Sequence, residues 1–365
     1  MEKIKYKKDE QPLFFKTLQK RVNEHFQTNK IQKTGNLKAY FKAIVLLTLF
    51  FACYATALIS TSLTYFYLSY IMMGSLTIFV ALNIAHDAAH NTFSSNKSVN
   101  NFLLFTFDLL GANGYLWRLK HVHSHHTHVN IPNMDGDIKQ SNLVRIFPNA
   151  PFLNFHKYQF LYMPPLYMLY TLNWLLMRDF KDFFQTNISG KPEIDHHWSE
   201  YVRLFLGKFF YISKLIIIPY IFLPFTFGQI FLGFLLLQFA ASLTVALALV
   251  SAHVGEHSVY PEPDENGIMP HSWAIHQIVT TTDFATNSPL ITHLFGGFNH
   301  HVVHHLFPNI SHIHYPVLTQ IVKETCEEFD IQYNCNPTLI DAILSHMKFL
   351  RIRSKEELKV SYIEM

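Results

Sequence analysis

Two long stretches of this chain carry neither a charge nor a histidine: residues 43–85 and residues 215–251. Crossing a hydrocarbon core of ~30 Å at ~1.5 Å per residue takes about 20 residues, so each stretch has the length of two membrane crossings and a tight turn. The first turn is expected near Ser60–Thr64. The second is expected near Pro224–Gln229, where Pro219, Pro224 and Phe227-Gly228 interrupt the apolar run. A soluble protein can bury one such run as a core helix, but not two of this length. The pattern predicts an all-α integral membrane protein with four transmembrane helices arranged as two hairpins. A third uncharged stretch, Phe160–Met177, contains Pro164-Pro165, three tyrosines and Trp174. That composition suits the headgroup region, so an interfacial or re-entrant segment is expected there.

The flanks give an orientation. Residues 1–42 hold 11 Lys and Arg against 4 acids, which predicts a basic cytoplasmic N-terminal segment. Residues 43–350 read as one membrane domain and residues 351–365 as a polar C-terminal tail. After two hairpins the chain returns to its starting side, so both termini and a helical cap are expected in the cytoplasm. The opening residues lack the apolar core and cleavage site of a signal peptide. Composition agrees with a membrane protein: 49% of residues are hydrophobic and 15% charged, with 34 Phe, against ~25% charged in soluble domains. A net charge of +3 gives no reason to expect nucleic acid as a partner. Three cysteines without a C-x-x-C pair exclude a disulfide framework and a cysteine-built metal cluster.

Histidine is the anomaly. Of 23 in the chain, seven fall within residues 86–128 and six within residues 300–314. They form three arrays: His86-x-x-x-His90, His121-x-x-x-His125-His126 and His301-x-x-His304-His305. Residues three or four apart share a helix face, so His86 with His90, His121 with His125, and the members of the third array can turn their imidazoles to one point, with His126 adjacent to the second pair. Eight imidazoles exceed the four positions of a tetrahedral site, which predicts two metals. Neutral nitrogen ligands suit iron, zinc or copper alike.

The chain here resembles the membrane fatty acid desaturases, and the resemblance runs from about Asn83 to Leu350. Beyond the arrays it is carried by Trp117-Arg118 before His121, Asn130 with Asp135-x-Asp137, His276-Gln277 with Thr280-Thr281, Gly296-Gly297-Phe298-Asn299 and His304-His305-Leu306-Phe307-Pro308. This string is similar to front-end and bacterial linoleoyl-CoA-type members. It departs from the front-end pattern at His301, where Gln is usual, and at Val302-Val303.

The resemblance implies that His86, His90, His121, His125, His126, His301, His304 and His305 hold two irons, with a ninth ligand from either His253 or His276. His253 is favoured by its place at the end of the fourth crossing. Asp87, Asp135, Asp137 and Asn299 are expected to orient ligand imidazoles through their second N–H. His123, His128, His300, His312 and His314 match no motif position and read as supporting or structural. Trp117, Phe107 and Tyr115 are candidate walls of an acyl tunnel.

The implied reaction is O2-dependent desaturation of a long-chain fatty acyl substrate, chemistry that the metal supplies because no side chain can remove hydrogen from a methylene group. The sequence shows no His-Pro-Gly-Gly haem motif and no nucleotide-binding glycine fingerprint. Its two electrons are therefore expected from an external donor, a ferredoxin or a cytochrome b5. A hydroxylase on the same scaffold would carry nearly the same arrays. A metal transporter is disfavoured, because the arrays stand at helix ends and no internal repeat is visible.

Overall fold

The computed structural model describes residues 4–8, 12–185, 187–188, 191–192 and 194–355. The elements that matter for the site are, in chain order, α1 (Pro12–Thr28), α2 (Leu37–Ile59), α3 (Leu63–Ala89), α4 (Lys97–Leu104), α5 (Gly114–Lys120), α6 (Gln159–Tyr167), α7 (Tyr170–Asn173), α8 (Trp198–Phe222), α9 (Phe227–His253), α10 (Trp273–Thr280), α11 (His301–Leu306), α12 (Tyr315–Glu328) and α13 (Leu339–Arg353). Short parallel strand pairs join β1 (Lys5–Tyr6) to β2 (Ile268–Met269) and β3 (Asp283–Phe284) to β4 (Cys335–Asn336).

Among the described residues, α2, α3, α8 and α9 are long and apolar enough to cross a membrane. Three residues separate α2 from α3, and four separate α8 from α9. Asn36 caps α2 by accepting from Lys38 N, and Thr226 and Gln229 form a reciprocal capping box at the start of α9. These bonds satisfy N–H groups that would otherwise be stranded at a helix entrance. Helix α3 is the most enclosed of the four, packed between α2 and α9. The α3–α9 contact depends on Gly74, where an added Cβ would stand 2.3 Å from Leu237 O. Only a residue without a side chain lets the two backbones approach this closely.

The first uncharged stretch coincides with α2 and α3 to within a few residues. The second does not set the bounds of α8, which begins at Trp198, 17 residues before Leu215. Arg203, Lys208 and Lys214 lie inside this helix, and each cation is satisfied within the protein. Arg203 pairs with Asp108 at 2.5 Å, Lys208 with Asp179 at 2.6 Å, and Lys214 donates to Leu109 O at 2.8 Å. Charge breaks a hydropathy run without breaking a helix when the partner comes from elsewhere in the fold.

The stretch 160–177 is not one long helix. It breaks at Met168–Leu169 into α6 and α7 and continues as a wide turn at Trp174–Arg178. Thr171 fastens α7 to α9: its N–H donates to Ser242 Oγ at 2.9 Å and its hydroxyl lies 2.7 Å from Gln238 Oε1.

Helix α1 covers α12 and the back of α11. Phe14, Leu18, Val22 and Phe26 recur every fourth residue and bury one stripe against α12, beside Val302, Leu318 and Val322. Of the polar tail expected over residues 351–365, the part from residue 356 lies outside the described residues.

Candidate metal centre

At ~1.5 Å per residue, the 27 residues of α3 and the 27 of α9 run to ~40 Å, longer than a ~30 Å hydrocarbon core. Their last turns carry His86 and His253. Before His86, α3 widens into a π-turn at Ala81–Ala85, and the helix stops after His90 because Asn91 takes a left-handed φ of 59°. The second array lies on a second π-turn, His121–His125, which continues α5. In a regular α-helix His126 would point about 100° away from His125. The i→i+5 closure of a π-turn instead brings residues five apart into line, and His126 Nε2 comes within 3.2 Å of His121 Nε2. The third array occupies α11, whose N-cap residue makes no side-chain cap bond. Asp283 caps this helix from outside: Oδ1 accepts Val302 N at 2.8 Å, while Oδ2 accepts the Tyr333 hydroxyl.

These elements bring the histidines into two adjoining groups. His86, His90, His121 and His304 form one; His125, His253, His301 and His305 form the other. Within each group the candidate ligand atoms lie within 4.8 Å of one another. His126 stands between them, its ring 4.7 Å from His90 and 4.5 Å from both His304 and His305. In the second group His253 Nε2 lies 3.2 Å from His125 Nε2 and 2.6 Å from His301 Nε2, and His305 Nε2 lies 3.1 Å from His301 Nε2. Nitrogens bound to one ion at ~2.1 Å stand ~3.0–3.4 Å apart, so the spacing fits a shared ion with little adjustment. In the first group the buried Nε2 atoms of His86, His90 and His304 have no hydrogen-bond partner. A buried polar atom left unpaired is costly, and a metal is the partner that would resolve all three.

Protonation favours ligation. Burial, reinforced by neighbouring imidazoles, holds His90, His121, His126, His301, His304 and His305 well below the usual histidine range. His125 is the exception: burial lowers it, but the charges of Asp135 and Asp137 outweigh that effect and raise it.

Acceptors fix several of the rings from behind. His121 Nδ1 lies 2.7 Å from Asp137 Oδ2, and His125 Nδ1 lies 2.9 Å from both oxygens of Asp135. Asp135 is itself held by the backbone N–H groups of Asn130, Asp137 and Ile138. His305 Nδ1 lies 3.1 Å from Gln277 Oε1, and His304 Nδ1 lies 3.1 Å from the Tyr315 hydroxyl.

Other expected partners sit elsewhere. Asp87 Oδ1 is 4.0 Å from His86 Nδ1, too far for a hydrogen bond, and Oδ2 instead binds His312 Nδ1 at 2.8 Å and the Ser311 hydroxyl at 2.6 Å. It ties the end of α3 to the segment after the third array, where Lys42 Nζ meets His312 Nε2 at 2.7 Å. Asn299 donates to Ala285 O and Thr292 Oγ1 and shapes the loop before α11.

Of the two candidates for the ninth position, His253 joins the second group and His276 does not. His276 Nε2 donates to Val129 O at 2.9 Å, and the edge of its ring meets Tyr6. His300 and His314 likewise serve structural contacts, with Thr319 of α12 and with Thr34 O. Trp117 stacks on His121 at 4.2 Å between ring centroids, meets His86 edge-on and backs onto Phe107. Tyr115 turns away to His196, 2.9 Å from its Nδ1.

The sequence profile described as Fatty acid desaturase matches residues 60–337. The chain is 33% identical over 353 residues to the sn-1 linoleoyl-lipid 6-desaturase of Synechocystis sp., covering 94% of this chain and 96% of that protein. It is 32% identical to the acyl-lipid (8-3)-desaturase of Mortierella alpina, covering 95% and 80%, and 30% identical to that of Physcomitrium patens, covering 95% and 73%.

Proposed function

Because the chain belongs to the fatty acid desaturase family, we propose that it introduces a double bond into a long-chain acyl group carried by a membrane lipid, using O2 and two irons. The observation that carries the reading is the pair of four-histidine groups, side by side and walled by aromatic rings. The names of the three relatives support a lipid-linked acyl substrate and a new double bond toward the carboxyl end.

His86, His90, His121 and His304 would hold one iron, and His125, His253, His301 and His305 the other, with His126 at the seam. Bound there, iron supplies the O2 activation and hydrogen removal that protein groups lack. The chain's own part is positional. Asp137, Asp135, Gln277 and Tyr315 engage the Nδ1 atoms of four rings, which keeps each Nε2 aimed inward. Trp117 and Phe107 close the His86–His121 side with apolar surface, which excludes water from reactive species.

Two further readings rest on sequence. The basic segment over residues 1–42 supports a cytoplasmic placement of the termini and the histidine arrays. On this reading a one-electron carrier outside these 365 residues supplies the electrons.

The test is expression in a host that makes only saturated and monounsaturated lipids, fed linoleate, with fatty acids read by mass spectrometry beside a His304→Ala control. A new double bond that disappears in the control is the expected result, and its position is read in the same spectrum. A hydroxylated product, or no product from protein that retains two irons and receives a chemical reductant, refutes the proposal.

A further inference from the structure

The reaction fixes an electron requirement. Conversion of CH2–CH2 to CH=CH releases two electrons and two protons, whereas reduction of O2 to two waters takes four of each. Two electrons and two protons must therefore come from outside the substrate. On the reading above, an external carrier brings those electrons, and the structure narrows where it docks.

Of the ten histidines considered as ligands, nine are buried and only His90 reaches the surface, beside the exposed Asn91. Thr127, the residue after His126, is also exposed. Cations flank this window. Arg118 donates to Ala88 O at 3.0 Å and to Asn101 Oδ1 at 3.1 Å, which holds its charge against the end of α3. Lys97, the first residue of α4, is exposed. On the Thr127 side the N-terminal strand forms a strap: the Tyr6 hydroxyl donates to Thr127 O at 2.5 Å, and Lys8 that follows is exposed. Lys5 and Lys7 are left out of this count, because the N–H of Lys5 bonds Gly267 O beside the acidic Asp264–Glu265 turn and that of Lys7 bonds His271 O. From Ala88 to Met134 the sequence has one acid, Asp108, and Arg203 occupies it.

We infer that this window, His90 and Thr127 framed by Arg118, Lys97 and Lys8, is the docking face for a small acidic protein carrying an exposed one-electron centre. Charge complementarity selects the partner and orients it, and a ligand imidazole at the surface leaves the least protein between the carrier and the metals.

The test uses a Lys8→Glu/Lys97→Glu double variant, which leaves every histidine and the Arg118 contacts in place. A glutamate at the first residue of α4 is favourable to that helix. Binding of an acidic [2Fe–2S] ferredoxin and of a soluble cytochrome b5 domain is measured by calorimetry, with metal-free and metal-loaded protein. At about 20 mM salt the variant should bind one of these carriers about tenfold more weakly than wild type, and the difference should close at about 200 mM. Dithionite-driven turnover should be equal in the two chains. Equal affinities for both carriers at low salt would overturn the assignment. A wild-type chain that shows this salt-dependent binding yet forms no double bond upholds the face and removes the proposed function instead.

Discussion

Replacing Asp135 by Asn should weaken one metal position and leave its neighbour unchanged. Asp135 is 3% exposed; both its oxygens face His125 Nδ1, and three backbone N–H groups also converge on it. An amide nitrogen cannot accept from those donors, and the negative charge that favours a donating His125 is lost. Such outer partners are each worth ~10–100-fold in metal affinity, or ~1.4–2.7 kcal/mol. Burial leaves little solvent screening to soften the loss. His125 belongs with His253, His301 and His305, so the metal held by those four should weaken. Asp137→Asn acts through His121, so it should weaken the other metal, by less because Asp137 is partly exposed and also pairs with Arg178. The assay is iron per chain by mass spectrometry across a chelator series. Each single variant should show one early and one late release, and Asp135→Asn on a His125→Ala background should add little. Loss of both metals together from either variant, or from neither, would refute the division into two groups.

Three further outcomes follow from the geometry. His253→Ala should lower iron per chain and His276→Ala should not; equal loss from both would place His276 in the centre after all. Gly74→Ala should lower the thermal midpoint in detergent, because its Cβ meets Leu237 O at 2.3 Å and overpacking costs ~1–3 kcal/mol, while Gly228→Ala, with open space around it, should not. Burial lowers both His276 and His346 to about 4, so between pH ~6.5 and about 4 the unfolded chain binds protons that the folded chain refuses. Stability should therefore fall as pH drops through 6.5, by up to ~3 kcal/mol per histidine at the foot of the window. His346→Gln should flatten that fall, and an unchanged pH profile would count against the assignment.

What could be read from the sequence was whatever depends on spacing along one helix. The four candidate crossings follow from apolar length, and the three arrays follow from residues three and four apart. His126 was counted with its array because it adjoins His125 and was made a ligand by the resemblance, since a 3.6-residue period turns it away and only the π-turn, which leaves no plain mark in the sequence, turns it back. The start of α8 was hidden because the partners of Arg203 and Lys208 lie 95 and 29 residues distant. Tyr315 and Asp283 escaped notice for the same reason: their roles depend on tertiary contacts with α11, and neither residue type is a signal by itself. Asp87 shows the converse, since adjacency to His86 suggested a contact that the fold assigns to His312.

On the reading that α3 and α9 cross the bilayer, their overhang makes the height of the histidine groups a matter of length. A helix is stiff along its axis, so whatever the bilayer does not cover lifts His86 and His253 clear of the lipid. A membrane thicker by ~3 Å covers two more residues of each helix at ~1.5 Å apiece and lowers the centre toward the acyl chains by that amount. A scaffold that crosses the bilayer in this way would also gauge it, and the distance an acyl chain must climb would be set jointly by a residue count and by the lipids around the protein.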